Sequence, residues 1–167
     1  MRILGRRKSD ALLRFSRKDW TSLIQELGRR GGGKRESGAF LLGHQLNDRR
    51  MVTRVVYLDD LDARCLQGNI HIDGKAYSKL WDLCEGQNLR VIGDVHTHIG
   101  EWVGQSRVDA SNPMIAQDGH VALIVPRFAM KTVRPSEVGV HVYLGERGWT
   151  SWTGAGAARR LFIGRYL

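Results

Sequence analysis

Apolar residues recur at helical spacing in two segments of the chain. The first segment, residues 16–30, carries on one predicted helical face Trp20, Leu23, Ile24 and Leu27. The glycines at 31–33 are expected to end this helix. The second segment, residues 73–88, carries at the same spacing Tyr77, Leu80, Trp81 and Cys84. Shorter helices are expected at 106–117 and at 156–167.

The other apolar runs are compact and β-prone. Strands are expected within residues 36–46, 50–61, 68–73, 89–95, 120–129 and 137–152. The turn residues NDR between the first two runs indicate a hairpin, and the last run predicts two strands around the turn GERG. This order does not repeat a βα unit. It predicts a single α/β domain of the α+β type, in which helices flank a mixed, mostly antiparallel sheet.

Composition favours an ordinary globular domain. The chain has 167 residues, of which 42% are hydrophobic, and this length is enough to bury a core. No apolar run approaches the roughly 18–20 residues that cross a bilayer, and the amino-terminal residues do not resemble a secretory signal. Cys65 and Cys84 form no disulfide framework. We therefore expect a cytoplasmic protein with reduced thiols and no membrane partner.

The positive charge is confined to the amino-terminal part of the chain. The net charge is +9, and residues 1–35 hold eleven basic against three acidic residues. The rest of the chain is close to neutral, so it does not resemble a nucleic-acid-binding surface. We expect no specific nucleic-acid partner, and we interpret the basic segment as a solvated face or a docking surface for an acidic partner.

The segment GDVHTHIGEWVGQSRVD, residues 93–109, carries the candidate chemistry. Alternation along a strand places His96 and His98 on one face at a strand end, which is half of a zinc site. If a helix begins at Ser106, Asp109 lies one turn along on the same face. The glycine-containing loop can fold that face back towards the histidines. Three protein ligands with a fourth position left for water describe a catalytic zinc site.

Each part of this pattern has a simpler interpretation. Histidine pairs are common on surfaces, and SRVD is an ordinary capping box, in which Ser106 caps a helix and Asp109 stabilises its positive end. Upstream of this segment, Glu36 is a further candidate for acid–base chemistry, but its position beside Arg35 is typical of solvated surface. Capping and metal ligation by Asp109 are compatible with each other. The combination of HxH, seven residues and then SxxD, directly after an apolar strand, favours the metal site.

The segment HTHIGEWVGQSRVD resembles the JAMM/MPN+ metalloprotease signature, H-[ST]-H-P-x(6)-S-x-x-D, and matches its spacing throughout. Residues 36–43, ESGAFLLG, are similar to the upstream strand of that family, written E-x-G-G-F-L-x-G. The resemblance extends from about residue 15 to the end of the chain. One position departs from the signature, because Ile99 replaces the proline after the second histidine. Proline would restrict the first step of the loop, so this loop is expected to be more mobile.

The resemblance implies a fold and a set of roles. It implies a cytidine-deaminase-like MPN/JAB domain at 15–167, preceded by a basic extension at 1–14. One Zn²⁺ per chain would be held by His96, His98 and Asp109. Glu36 would be the general acid and base that deprotonates the metal-bound water, and Ser106 would donate a hydrogen bond to the oxyanion of the tetrahedral intermediate.

The implied activity is that of a deubiquitinase-like hydrolase. Such a zinc isopeptidase or peptidase cuts the bond after the C-terminal glycine of a ubiquitin or ubiquitin-like protein that is joined to a lysine or another amine. Compact members of this type resemble prokaryotic proteins of ubiquitin-like conjugation systems, including antiviral ones. The expected partners are the ubiquitin-like protein or its conjugate and E1- and E2-like proteins, and a homodimer is also compatible. The substrate tail is expected to pair, extended, with a strand edge near the zinc.

Two other functional classes remain open at this point. Many MPN domains have lost their ligands and serve as non-catalytic scaffolds, although the complete residue set here argues against that class. A DNA-repair-associated JAB-like branch would use the basic segment to bind nucleic acid, but the corresponding motif in that branch usually reads HNHPSG.

Four other histidines are interpreted as ordinary packed or surface residues, namely His44, His71, His120 and His141. Trp102 fits a wall of the substrate groove about as well as it fits core packing or simple exposure.

Overall fold

The computed structural model describes residues 10–47, 49–68 and 70–165. Within these residues the strands are β1 (Leu13–Ser16), β2 (Gly38–Leu46), β3 (Arg49–Tyr57), β4 (Arg90–Thr97), β5 (Val121–Val125), β6 (Gly139–Tyr143), β7 (Trp149–Trp152) and β8 (Leu161–Gly164). The helices are α1 (Arg17–Gly31), α2 (Leu58–Leu61), α3 (Gly74–Gly86), α4 (Arg107–Ser111) and α5 (Gly154–Arg160). Short 3₁₀ turns occur at Arg127–Ala129, Pro135–Glu137 and Gly145–Arg147.

All described strands belong to one mixed sheet with the order β7-β6-β5-β4-β2-β3-β1-β8. Four neighbouring pairs are antiparallel and three are parallel. The predicted class, a mixed and mostly antiparallel sheet with helices, is confirmed. Strand β4 lies inside the sheet, antiparallel to β2 and parallel to β5.

The two long helices cover two separate apolar cores. Helix α1 buries its predicted face, Trp20, Leu23, Ile24 and Leu27, against residues that include Leu41, Val95 and Leu123. Helix α3 buries Leu80 and Cys84 in a second core with Phe40 and Leu42. Neighbours in β2 thus alternate between the two cores, as side chains of a strand do. Helix α1 ends at Gly31, and the next residue, Gly32, caps it with a φ of 60° in the left-handed region that glycine favours.

Two predicted elements differ in the structure, and one observed strand was not predicted. The run 68–73 forms no strand in its described part, where Ile70 and Ile72 pack on the second core instead of pairing with a neighbour. The closing helix was predicted over 156–167, but α5 ends at Arg160 and the chain continues as β8. This strand pairs in parallel with β1, which was not predicted. Pairing between β1 and β8, which are short and far apart in the sequence, overrides the local helical preference of the last residues.

Several other predicted elements are present but shorter than expected, and β5 likewise ends at Val125, before residue 129. The second hairpin strand ends at Tyr57, and Leu58–Leu61 form α2 instead of extending it. The short helix after Ser106 ends at Ser111, well before residue 117. Strand β1 spans the boundary predicted between residues 14 and 15, and Leu13 is fully buried. Residues 1–9, most of the predicted basic extension, lie outside the described residues. Among the described helices, none combines the length and the apolarity of a bilayer crossing.

A left-handed turn follows β5 and contacts α1. Arg127, Phe128 and Ala129 have φ values of 56°, 52° and 57°, which cost non-glycine residues roughly 1–2 kcal/mol each. Helix α1 approaches this turn so closely that a Cβ on Gly28 would lie 2.6 Å from the Ala129 carbonyl oxygen. Only a residue without a side chain fits at this crossing.

Replacing Gly28 by alanine therefore tests the contact between α1 and the turn. Helix propensity alone would make Gly28→Ala stabilising by up to about 1 kcal/mol. We expect the opposite, a loss of roughly 1–3 kcal/mol in the free energy of unfolding, because the overpacked crossing must shift. Gly86→Ala is the matched control, since a Cβ there meets no atom within 4 Å. Equal urea-unfolding stabilities for the two variants would contradict this packing.

A charged network joins α1 to α2. The Arg30 guanidinium bonds Glu26, Asp59 and Asp60 at 2.7–2.8 Å and lies 4.1 Å from the centre of the Tyr57 ring. A hydrogen bond from Arg29, together with one from Arg30, lowers the pKa of Glu26 to about 2 against the effect of burial.

The lowered pKa of Glu26 predicts acid sensitivity. A carboxylate with a depressed pKa in the folded state stabilises the fold above its ordinary value, and this contribution is lost as the pH falls from about 4.5 to about 2. Glu26→Gln should lose less stability over that window than the unmodified chain does, in thermal unfolding at each pH. Glu85→Gln, on the exposed face of α3, is the control. A Glu26→Gln profile parallel to that of the unmodified chain would contradict the linkage.

Candidate metal centre

The end of β4 is fixed by hydrogen bonds to both sides. The Thr97 amide donates to the Ser37 carbonyl oxygen at 2.9 Å, and the Ser37 amide donates to Thr97 Oγ1 at 3.0 Å. On the other side, the His98 amide donates to the Val125 carbonyl oxygen at 2.9 Å. Because β2 and β5 hold this end, the backbone from His96 to His98 has one position relative to the sheet.

The structure brings the three predicted ligands together. His96 and His98 are buried, with their Nε2 atoms 3.1 Å apart. The Asp109 carboxylate places Oδ1 3.5 Å from His96 Nε2 and Oδ2 3.4 Å from His98 Nε2. Each residue thus presents one ligand atom towards a common centre.

Hydrogen bonds and stacking orient the His98 ring. Its Nδ1 lies 3.2 Å from the Trp102 carbonyl oxygen, which can only accept, so Nδ1 carries the proton. The lone pair of Nε2 is therefore free to face the centre. The Trp102 indole stacks on the imidazole at a centroid distance of 5.5 Å and an interplanar angle of 24°. Trp102 thereby lines the site and is also 61% exposed, which contradicts only the core-packing interpretation.

Asp109 serves the helix cap and the centre together. Ser106 Oγ accepts from the Asp109 amide at 3.1 Å, and Asp109 Oδ2 accepts from the Ser106 amide at 2.7 Å. This is the predicted capping box, and it fixes the carboxylate at the start of α4. Both carboxylate oxygens still face the imidazoles, so capping and ligation occur in the same geometry.

The electrostatics favour a charged carboxylate. Burial alone would raise the pKa of Asp109, but its contacts with His96, His98 and Ser106 hold that pKa well below its ordinary value. Burial alone would lower the pKa of His98, but the Asp109 carboxylate, with a smaller contribution from Glu36, raises it. The cluster therefore combines a fixed negative charge with two imidazoles.

The donor set fits a tetrahedral zinc ion. Zinc bonds to imidazole nitrogen and carboxylate oxygen of about 2.0–2.1 Å imply about 3.3–3.4 Å between ligand atoms at tetrahedral angles. The two Nε2 atoms are 3.1 Å apart, close to that value. Asp109 Oδ1 lies 3.5 Å from His96 Nε2 and Oδ2 lies 3.4 Å from His98 Nε2, so either oxygen is placed to be the single carboxylate ligand. Two nitrogens and one carboxylate oxygen are a combination that zinc takes in catalytic sites.

The two remaining predicted residues, Glu36 and Ser106, line the same cavity as the three ligand residues. This cavity has a volume of about 730 Å³. Ser106 Oγ accepts within the capping box, so its own proton is available to a group in the cavity. Glu36 is half-buried and immediately precedes Ser37, which is bonded to the end of β4. All five predicted site residues therefore meet in one cavity.

Residues of the left-handed turn hold the loop that follows His98. The Arg127 amide donates to the Gly100 carbonyl oxygen at 2.9 Å, and the Phe128 amide donates to the His98 carbonyl oxygen at 2.7 Å. The Arg127 guanidinium also pairs with Glu101 and with Glu137. The Glu101 side chain thus ties the loop to the turn through an ion pair. These contacts oppose the mobility expected from Ile99 in place of proline.

Gly104 accommodates the Trp102 ring. A Cβ on Gly104 would lie 2.6 Å from the Trp102 indole carbon Cζ2. The indole thus folds back over the backbone of its own loop while its face contacts His98.

Two buried histidines were interpreted as ordinary residues, and the structure shows specific partners for both. His120 Nε2 lies 2.6 Å from Asp94 Oδ2, so Asp94 pairs with His120. His141 bonds the Val103 carbonyl oxygen and Ser151. Sequence alone gave little signal, since Val103 is a backbone acceptor that any residue type could supply.

Comparisons with known proteins identify a fold. No family model matches the chain. The chain is similar to a solved structure of a protein from Desulfitobacterium hafniense, with a TM-score of 0.65 and 17% identity over 93% of this chain and 94% of that one. It is also similar to a protein from Salinibacter ruber, with a TM-score of 0.57 and 17% identity over 82% and 87% of the two chains. At this identity the likeness shows the fold alone.

Metal binding is the direct test of the centre. We expect one zinc ion per chain, with about 2.7 kcal/mol of added stability at a free zinc concentration 100 times Kd. His96→Ala and Asp109→Asn should lose the ion and this stabilisation, because each removes one ligand or its charge. His44→Ala, at the exposed end of β2, is the control. Elemental analysis and thermal unfolding measure both effects, and an unmodified chain that binds no zinc would contradict the assignment.

Proposed function

We propose that this chain is a zinc-dependent isopeptidase or peptidase of the JAMM/MPN+ type, with the cytidine-deaminase-like fold of that family. The proposal extends to its substrate, the bond after the C-terminal glycine of a ubiquitin-like protein joined to an amine. The observation that carries it is the convergence of His96, His98, Asp109, Glu36 and Ser106 on one cavity. These five residues occupy the five motif positions of the resemblance.

The chain's own residues divide the chemistry between them. A zinc ion held by His96, His98 and Asp109 would supply Lewis acidity and lower the pKa of a bound water to about 7. Glu36 would then accept a proton from the attacking water and pass it to the leaving amine. Ser106 would donate a hydrogen bond from its hydroxyl group to the carbonyl oxygen as negative charge develops there.

The walls of the cavity favour a macromolecular substrate. Three of its lining residues are large, apolar and exposed, namely Ile99 at 76%, Trp102 at 61% and Val108 at 53%. Exposed apolar groups that cluster around a polar centre are typical of surfaces that bind a partner. Residues 70–72 also line the cavity and lie outside any strand, and we propose that an extended substrate tail pairs there by β-addition.

Cleavage by the zinc-loaded chain tests the proposal. Ubiquitin-like proteins fused through their C-terminal glycine to a peptide or a lysine side chain should be cut at that bond, and chelation should abolish the cut. Mass analysis of the fragments identifies the bond. Intact substrates across such a set, with zinc bound, would favour the non-catalytic scaffold instead.

Glu36→Gln separates proton transfer from metal binding. The variant should keep one zinc ion but lose about 10²–10⁴-fold in rate, because a general base contributes about that much. Ser106→Ala should lose on the order of 10²–10³-fold. Glu85→Gln is the matched control on an exposed helix. Full activity in Glu36→Gln would overturn the assigned role.

A further inference from the structure

His141 lies where β6 meets the loop of the metal centre. It is 1% exposed and pairs in register with Ala122 of β5 and Ser151 of β7. Its Nε2 lies 2.9 Å from the Val103 carbonyl oxygen, and its Nδ1 lies 2.7 Å from Ser151 Oγ. Both ring nitrogens are therefore engaged, one of them by the loop that follows His98.

The partners of His141 determine its tautomer. Burial lowers the pKa of His141, so the ring is neutral and carries one proton. The Val103 carbonyl oxygen can only accept, so that proton is on Nε2. Nδ1 then accepts from the Ser151 hydroxyl, which is able to donate. In this series of hydrogen bonds each ring nitrogen of His141 has a single role, as donor or as acceptor. The ring cannot rotate without losing both bonds.

Val103 is the buried point of an otherwise accessible loop. Residues 99–102 are exposed, whereas Val103 is 8% exposed. Gly139, on the same strand as His141, leaves room for the Val103 carbonyl, since a Cβ there would lie 2.0 Å from that oxygen. The carbonyl of the preceding residue, Trp102, accepts from His98 Nδ1. The carbonyl that His141 holds and the carbonyl that orients His98 therefore belong to adjacent peptide groups, joined through the Cα of Val103.

We propose that His141 is a positioning residue for the metal ligand His98. It holds the Val103 carbonyl, and the peptide between Trp102 and Val103 turns the Trp102 carbonyl towards His98 Nδ1. This keeps the Nε2 lone pair of His98 directed at the centre. The inference rests on the metal site of the proposed function but not on the peptidase activity, so the two can fail separately.

Substitutions at His141 distinguish this role from simple core packing. His141→Gln retains an N–H donor near the position of Nε2, whereas His141→Leu fills similar space without a donor. We expect His141→Leu to weaken zinc binding by about 10–100-fold, the usual effect of losing an outer partner of a ligand. His141→Gln should remain within about threefold of the unmodified chain. Competition with a chromophoric chelator measures Kd in folded protein.

Two spectroscopic readouts complement the affinities. The absorption bands of Co²⁺ in the centre should shift in His141→Leu but not in His141→Gln. Without metal, ¹⁵N spectra should show a slowly exchanging, hydrogen-bonded Nδ1–H on His98 in the unmodified chain and a fast-exchanging one in His141→Leu, because the Trp102 carbonyl that accepts this bond is no longer held. This second readout tests the proposal even if the chain binds no zinc.

Ser151→Ala keeps the test informative if His141→Leu does not fold. It removes only the hydroxyl that fixes the His141 tautomer, and it should weaken zinc binding a few-fold and speed the exchange of the His98 Nδ1–H. Unchanged affinity and unchanged exchange of that proton in Ser151→Ala and in every folded His141 variant would overturn the proposal. Equal loss in His141→Gln and His141→Leu would also overturn it, because the hydrogen bond would then not be the cause.

Discussion

The hydrogen bonds that end β4 between β2 and β5 are the constraint on which the centre depends. Ser37 and Val125 bind Thr97 and His98 from opposite sides. The sheet itself therefore fixes the backbone position from which both imidazoles extend. Only Asp109 comes from a separate element, and its capping box fixes it at the start of α4. A three-ligand site thus needs only one loop closure once the sheet has formed, which reduces the entropy lost on assembling it.

The loop closure is supported by strained backbone. Three consecutive left-handed residues together cost several kcal/mol, at roughly 1–2 kcal/mol each, and such strain persists only when surrounding contacts determine it. Here those contacts are the bonds from the turn to the His98 and Gly100 carbonyl oxygens and the close crossing with Gly28. The left-handed turn therefore links the first core to the metal centre, because it contacts α1 at Gly28 and also donates hydrogen bonds to the loop that follows His98.

Local sequence signals predicted much of this arrangement, and their reach explains what they missed. The spacing of His96, His98, Ser106 and Asp109 reports local geometry, so the strand end, the cap and the three converging ligands could be anticipated. Strands β1 and β8 could not, because each is four residues long and is stabilised by a partner far along the chain. The role of His141 could not be predicted for a similar reason. Its acceptor is a backbone carbonyl, which any residue at position 103 would supply, so the sequence carries no signal for this bond.

The contact between Trp102 and Gly104 has a consequence for how this loop can change over generations. A side chain at 104 collides with the indole, so a lineage that acquires one first passes through a damaged intermediate. A lineage that first loses the indole opens the space and can then accept many residues at 104. The two positions are therefore expected to drift in a fixed order, and descendants with a bulky residue at 104 should have a small one at 102.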